Sequence, residues 1–210
     1  MDIFVRISLI VVLILSAATY AWAGAPTDQV RAYTDQVVKV LQSPALTLPE
    51  RRAAVGHIAS EAFDVSETAQ RALGVHWQQR TPAEREEFVK LFANLLEQTY
   101  ISQIDQYGGE RVAYVGEQID GDRAVVRARI VTKNGTEVPV ESRLLLKDSR
   151  WLIYDILIAN MSLISSYRAQ FDRVIRTASY EDLVKRLQSR IELLSAKGTN
   201  APRATAPVKR

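Results

Sequence analysis

No cysteine occurs among the 210 residues. Disulfides, a thiolate nucleophile and cysteine-ligated zinc or iron–sulfur sites are therefore excluded. Histidine is nearly as scarce, present only as His57 and His76. Neither has the spacing of a metal pair such as His-Glu-x-x-His, and no metal or cofactor is expected. Long apolar runs are also missing. The strongest, Ile7 to Leu15, is shorter than the roughly 20 residues that a membrane-spanning helix needs. Charge of one sign is lacking too: 27 Lys and Arg stand against 24 Asp and Glu, a net +3. What is present is ordinary globular material, 47% apolar and 24% charged, which excludes disorder throughout and heptad or collagen composition.

The small positive charge is not spread over the chain. The last fifteen residues carry Lys197, Arg203, Lys209 and Arg210 and no acid. Asp2 and Arg6 cancel in the first 23, so taking the tail's +4 from the chain's +3 leaves −1 for residues 24–195. The pI of about 9.2 therefore comes from the tail, and no nucleic-acid partner is expected, since that requires a basic face on the folded part. The N-terminus combines Arg6, the apolar run and Ala21-Trp22-Ala23. That is the pattern of a secretory signal peptide, residues 1–23, cleaved after Ala23; retention as an anchor is the competing reading. Residues 24–195 are expected to form one domain and 196–210 a disordered basic tail rich in Ala, Pro, Thr and Lys/Arg.

Periodicity orders the body. Val30, Tyr33, Val37 and Leu41 recur at helical spacing over 28–42. A second helix is expected over 49–60. Asp64-x-x-Glu67 caps a short helix that Gly74 ends. Thr81-Pro82-x-Glu84 is a fuller capping box, starting a helix over 82–105 with a wide apolar face of Phe88, Leu91, Phe92, Leu95, Leu96, Thr99, Tyr100 and Ile104. The period then changes to two. Ala124, Val126, Ala128 and Ile130 alternate with Arg123, Arg127 and Arg129; Val138, Val140, Leu144 and Leu146 alternate with charged residues. Turn signals at Asp120-Gly121, Asn134-Gly135 and Asp148-Ser149 divide strands near 111–119, 122–133, 136–147 and 150–158. Helical spacing returns from Ile164 to Ile175 and, after a cap at Ser179, from Tyr180 to Leu194. The fold class is α+β: a four-stranded antiparallel meander packed with helices from both chain ends.

Catalytic constellations do not emerge. There is no Gly-x-Ser-x-Gly elbow and no Gly-rich loop opening a helix. Asp64 is explained by capping. Asp155, in the apolar last strand, is a buried hydrogen-bonding group by default. The chain is not expected to be an enzyme.

An ordered set of residues carries a family resemblance. Phe63-Asp64, Leu73-Gly74-x-x-Trp77, Thr81-Pro82, Phe88 with Phe92 and Thr99-Tyr100 precede the sheet. Trp151-x-x-Tyr154-Asp155, Met161-Ser162-Leu163-Ile164-x-x-Tyr167-Arg168-x-Gln170-Phe171 and Leu183-x-x-x-Leu187 follow it. Over residues 28–192 this resembles the MlaC family, also called the toluene-tolerance auxiliary family, periplasmic phospholipid carriers of an ABC-driven lipid transport system in Gram-negative envelopes. Members usually have Glu-Gly-Val where this chain has Ala159-Asn160-Met161; Asn tolerates the left-handed backbone that Gly supplies.

The resemblance implies an apolar cavity between sheet and helices that shields phospholipid acyl chains and leaves the headgroup in water. It also implies two partners, an inner-membrane ABC transporter complex and an outer-membrane lipoprotein complex. Lining positions expected on that basis are Phe92, Leu96, Tyr100, Val126, Ala128, Val140, Leu144, Tyr154, Leu163, Tyr167 and Phe171. Asp64, Asp155 and Arg168 are expected to be structural, with Asp155 and Arg168 paired to fix the last helices to the sheet. A carrier for hopanoid or another polycyclic lipid, and a filled-core periplasmic adaptor of an inner-membrane complex, remain as alternatives.

Overall fold

Among the described residues, four α-helices come first, then a sheet, then two more helices. In the computed structural model, residues 25–101 and 106–199 are described. The expected signal peptide, the 102–105 end of the fourth expected helix and residues 200–210 lie outside them.

Local signals account for the helix starts. In α1 (Pro26–Gln42) proline stands at the first position, where its missing N–H costs nothing. Before α2 (Leu48–Ala62), the backbone amide and hydroxyl of Thr47 both donate to Glu50 Oε2 at 2.7 Å. Asp64 caps α3 (Val65–Leu73) by accepting from the Glu67 amide at 2.9 Å, and Gly74 ends it at φ +60°. A 3₁₀ segment, Gly74–Gln79, leads to α4 (Pro82–Tyr100). There the expected box is closed: the Glu84 amide donates to Thr81 Oγ1 at 3.2 Å and the Thr81 amide to Glu84 Oε2 at 2.7 Å.

The meander runs β1 (Arg111–Asp120), β2 (Arg123–Val131), β3 (Glu137–Lys147), β4 (Arg150–Ile158), with a two-residue β5 (Met161–Ser162) beyond it. The sheet thus has five strands rather than four. β5 was hidden because its turn, Ala159-Asn160, holds no glycine; both residues take positive φ, 49° and 64°, as a primed hairpin turn requires. Asn134-Gly135 proves to be part of a longer connection, closed by the Thr132 amide donating to the Thr136 carbonyl at 3.0 Å. One sheet face is wet, with Arg129 against Glu137 at 3.0 Å and Arg127 against Glu141 at 3.5 Å. The other carries Ala124, Val126 and Leu144, all buried, under α1 and α2 with Ala62, Trp151 and Ile153. The Thr27 amide and hydroxyl donate to Glu117 Oε2, and Gln29 Oε1 accepts from the Trp151 amide, fixing α1 across that face.

The remaining helices, α5 (Leu163–Thr177) and α6 (Tyr180–Thr199), build a second core with α3 and α4. Phe88, Phe92, Leu73 and Leu183 are fully enclosed there; burying each is worth about 1.5–3 kcal/mol. α6 runs to Thr199, four residues into the stretch expected to be a disordered tail.

Strand β4 contains the irregularity that matters most. Leu144 opposes Ile153, but Arg143 opposes Asp155, so Tyr154 is an extra residue without a partner on β3. A bulge of this kind turns the residues after it to the opposite face. Asp155 consequently points away from the Ile153 side, while Ile156 returns to it and packs on the sheet core.

Candidate functional site

Three helices with apolar faces meet imperfectly and leave a groove. Leu95, Thr99 and Tyr100 of α4 form one wall, and Leu163, Ser166, Tyr167, Gln170, Phe171 and Val174 of α5 form the other. Leu183, Arg186, Leu187 and Arg190 of α6 complete it. Its volume is about 470 Å³, inside the range of about 300–1,000 Å³ usual for small-molecule sites.

The floor is rigid and aromatic. Phe92 packs edge-on against Tyr167, with centroids 5.1 Å apart, and against Phe171 at 5.5 Å. Phe88 stacks on Phe92 at 5.9 Å and meets Phe171 edge-on at 5.8 Å. Such pairs contribute about 0.5–1.5 kcal/mol each beyond their buried area. Tyr100 stands at the mouth, 42% exposed. Burial, and then the neighbouring Tyr167 phenol, push its hydroxyl up to about 12, so it stays neutral at any physiological pH. The polar side chains on the α5 wall are turned to their own helix: the Ser166 hydroxyl donates to the Ser162 carbonyl at 2.8 Å and Gln170 Nε2 to the Ser166 carbonyl at 3.2 Å. Leu163, Tyr167 and Val174, each half-buried, are left as the apolar contact surface above the buried Phe171, Leu183 and Leu187.

Acid–base machinery is not assembled at the groove. His57 is exposed and pairs with Glu61 on its own helix at 3.4 Å. His76 Nε2 meets Asp172 Oδ1 at 2.9 Å, joining the 3₁₀ segment to α5. Among the described residues, no three His, Asp or Glu side chains gather as a metal site would need.

The expected lining residues divide into groups. Tyr100, Leu163, Tyr167 and Phe171 line the groove together. Phe92 is the floor beneath them, and Leu96 packs half-buried on the same core. Val126 and Leu144 are enclosed in the separate sheet core, so strand residues do not line this groove. Ala128, Val140 and Ile158 lie in register on adjacent strands, with Ile130 beside Val138 in the next row, forming a partly open apolar strip. Tyr154 lies under the Arg71 guanidinium, 4.0 Å from its ring centre, and its carbonyl accepts from the Thr68 hydroxyl.

The structural residues are placed too, with one correction. Asp64 caps α3 and also meets Lys147. Asp155 does not pair with Arg168. Its Oδ2 accepts from the Ser162 hydroxyl at 2.6 Å, its Oδ1 from the Ile164 amide at 3.2 Å, and Arg143 stands 3.8 Å away. Arg168 is exposed, donates to Ser165 Oγ at 3.3 Å and lays its stem over Gly74. The bulge at Tyr154 is the reason, because it aims Asp155 at the start of α5. Sequence reasoning did not find Thr99, Arg186, Leu187 or Arg190 as lining residues. The available signals were Thr99 on the apolar face of the fourth helix, and Leu183 and Leu187 alternating with Arg186 and Arg190 at helical spacing.

The mixed helix-and-sheet fold carries a partly open, mainly apolar groove between three helices, the kind of site that suits an apolar small ligand. The family model described as "MlaC protein" matches residues 31–189, and the chain belongs to that family. A solved structure of a phospholipid-binding protein from Ralstonia solanacearum in complex with a phospholipid is similar over 82% of this chain and 99% of that one, with a TM-score of 0.73 and 27% identity. The intermembrane phospholipid transport system binding protein MlaC of Haemophilus influenzae is 23% identical over 124 residues. That match spans 56% of this chain and 58% of that protein, a little over half its length.

Proposed function

We propose that this protein is a periplasmic phospholipid carrier. The observation that carries the reading is the apolar groove between α4, α5 and α6, in a chain whose fold resembles a protein solved with a phospholipid. Each buried methylene is worth about 0.8 kcal/mol, so an acyl chain does not cross water unshielded at a useful rate. A groove lined by Leu163, Tyr167 and Val174 removes that barrier without any chemistry on the lipid. One chain lies in the groove over the Phe92 floor. The strip of Ala128, Val140 and Ile158 is the proposed resting place of the second, in keeping with a role for the strand positions.

Export through the N-terminal segment, and delivery between an inner-membrane ABC transporter complex and an outer-membrane lipoprotein complex, complete the reading. Binding that reads the chains would let one carrier serve several headgroups. The test is lipid mass spectrometry on protein exported to a bacterial periplasm and purified without detergent. About one phospholipid per protein is expected. Protein that emerges empty and stays empty when offered a native lipid extract, or that takes up hopanoid alone, would overturn the reading.

A further inference from the structure

Only two of the side chains that line the groove carry charge, and both are positive. Arg186 and Arg190 are four residues apart on α6, hence about 6 Å apart along one face of the helix. Several other arginines have an acid beside them: Arg71 with Glu67 at 2.7 Å, Arg80 with Glu84 at 3.2 Å, Arg129 with Glu137 at 3.0 Å. Among the described residues, neither Arg186 nor Arg190 has a carboxylate within ion-pair distance, and no acid lines the groove. Of the other polar side chains there, Ser166 and Gln170 donate to their own helix.

A purely hydrocarbon passenger gains nothing from two guanidinium groups at the rim of its groove. An amphiphile with a phosphate next to its chains does, because arginine's planar fork matches phosphate oxygens in paired hydrogen bonds. Resting on the carrier reading above, we infer that Arg186 and Arg190 form a phosphate-recognition rim, which selects phosphate-bearing lipids over neutral lipids with the same chains. The apolar groove directly below makes the phosphate that of a lipid headgroup rather than free inorganic phosphate.

The test is a competition inside one membrane. Delipidated full-length protein is incubated with vesicles of phosphatidylglycerol that also contain diacylglycerol of the same chains, and the lipid bound to it is measured by mass spectrometry. The wild type is expected to favour phosphatidylglycerol over its share in the vesicle by about tenfold, the size expected of charge-assisted hydrogen bonds at a partly exposed site. Arg186→Gln with Arg190→Gln should lose that preference and still take up diacylglycerol, with unchanged thermal unfolding. Arg186→Lys with Arg190→Lys should keep part of it. An unchanged ratio in the glutamine variant would overturn the inference and leave the carrier reading standing. A wild type that loads neither lipid would overturn both. Loss of the preference on adding inorganic phosphate alone would show a free-phosphate site and overturn the headgroup assignment.

Discussion

The carboxylate of Asp155 holds the hydroxyl of Ser162 at 2.6 Å and the amide of Ile164 at 3.2 Å, clamping the last long strand to the first turn of α5. That helix supplies one whole wall of the groove, so the position of Leu163 and Tyr167 depends on a contact outside the groove itself. Asp155→Ala leaves a buried amide and a hydroxyl without their acceptor, and should cost about 2 kcal/mol. Arg168→Ala, by contrast, should stay within ~0.5 kcal/mol, as exposed substitutions usually do. Urea unfolding of the two variants measures the difference; equal losses would restore the Asp155–Arg168 pairing that the sequence suggests.

Ala159 occupies the left-handed region at φ 49° in the turn before β5. An L-residue there costs about 1–2 kcal/mol, partly offset by the extra unfolded-state freedom of glycine. Ala159→Gly should therefore stabilise the protein by roughly 0.5–1 kcal/mol. A lower unfolding midpoint in the variant would contradict the turn geometry.

Alkaline stability should depend on Tyr180. Its hydroxyl donates to the Glu84 carbonyl at 3.1 Å. Burial, and then the nearby charges of Glu84 and Glu87, push it up to about 12, against about 10 in an unfolded chain. The folded state therefore keeps its proton where the unfolded chain releases it. The contribution is complete below pH about 10 and is lost as pH rises towards 12. Tyr180→Phe should be less stable than wild type at neutral pH, with the gap narrowing between those values. Urea midpoints measured across that range decide it; a constant gap would contradict the assignment.

Thr99 is half-buried on the α4 wall and lines the groove. Thr99→Trp places an indole where the acyl chain is proposed to lie. Lipid recovered per protein should fall about tenfold or more, because displaced methylenes each forfeit about 0.8 kcal/mol, while stability changes by about 1 kcal/mol or less. Phe92→Ala should do the reverse of this separation, costing about 3–5 kcal/mol by opening the floor. Undiminished lipid in Thr99→Trp would move the chain out of the groove.

Much of the fold was legible because its signals are local. Thr81, Pro82 and Glu84 announce α4 through hydrogen bonds three residues apart, and the alternation from Ala124 to Ile130 needs only a pleat. Non-local geometry was not legible. Nothing in Trp151–Ile158 marks Tyr154 as the extra residue, yet that single bulge decides which way Asp155 points. Likewise, an apolar stripe on α5 or α6 looks the same whether it meets a strand or another helix. Tyr100, Leu163, Tyr167 and Phe171, placed together by the sequence reading, share one groove, and the wall opposite them is α6.

The central claim is that an acyl chain lies between α4, α5 and α6. Loading the protein with a phospholipid that carries a photoactivatable group on its chain, irradiating it and mapping the adducts by mass spectrometry tests this directly. The account predicts adducts on Tyr100, Leu163, Tyr167 or Leu187, with any second set confined to the Val140–Ile158 strip. Loaded protein whose adducts avoid the three helices altogether would contradict it.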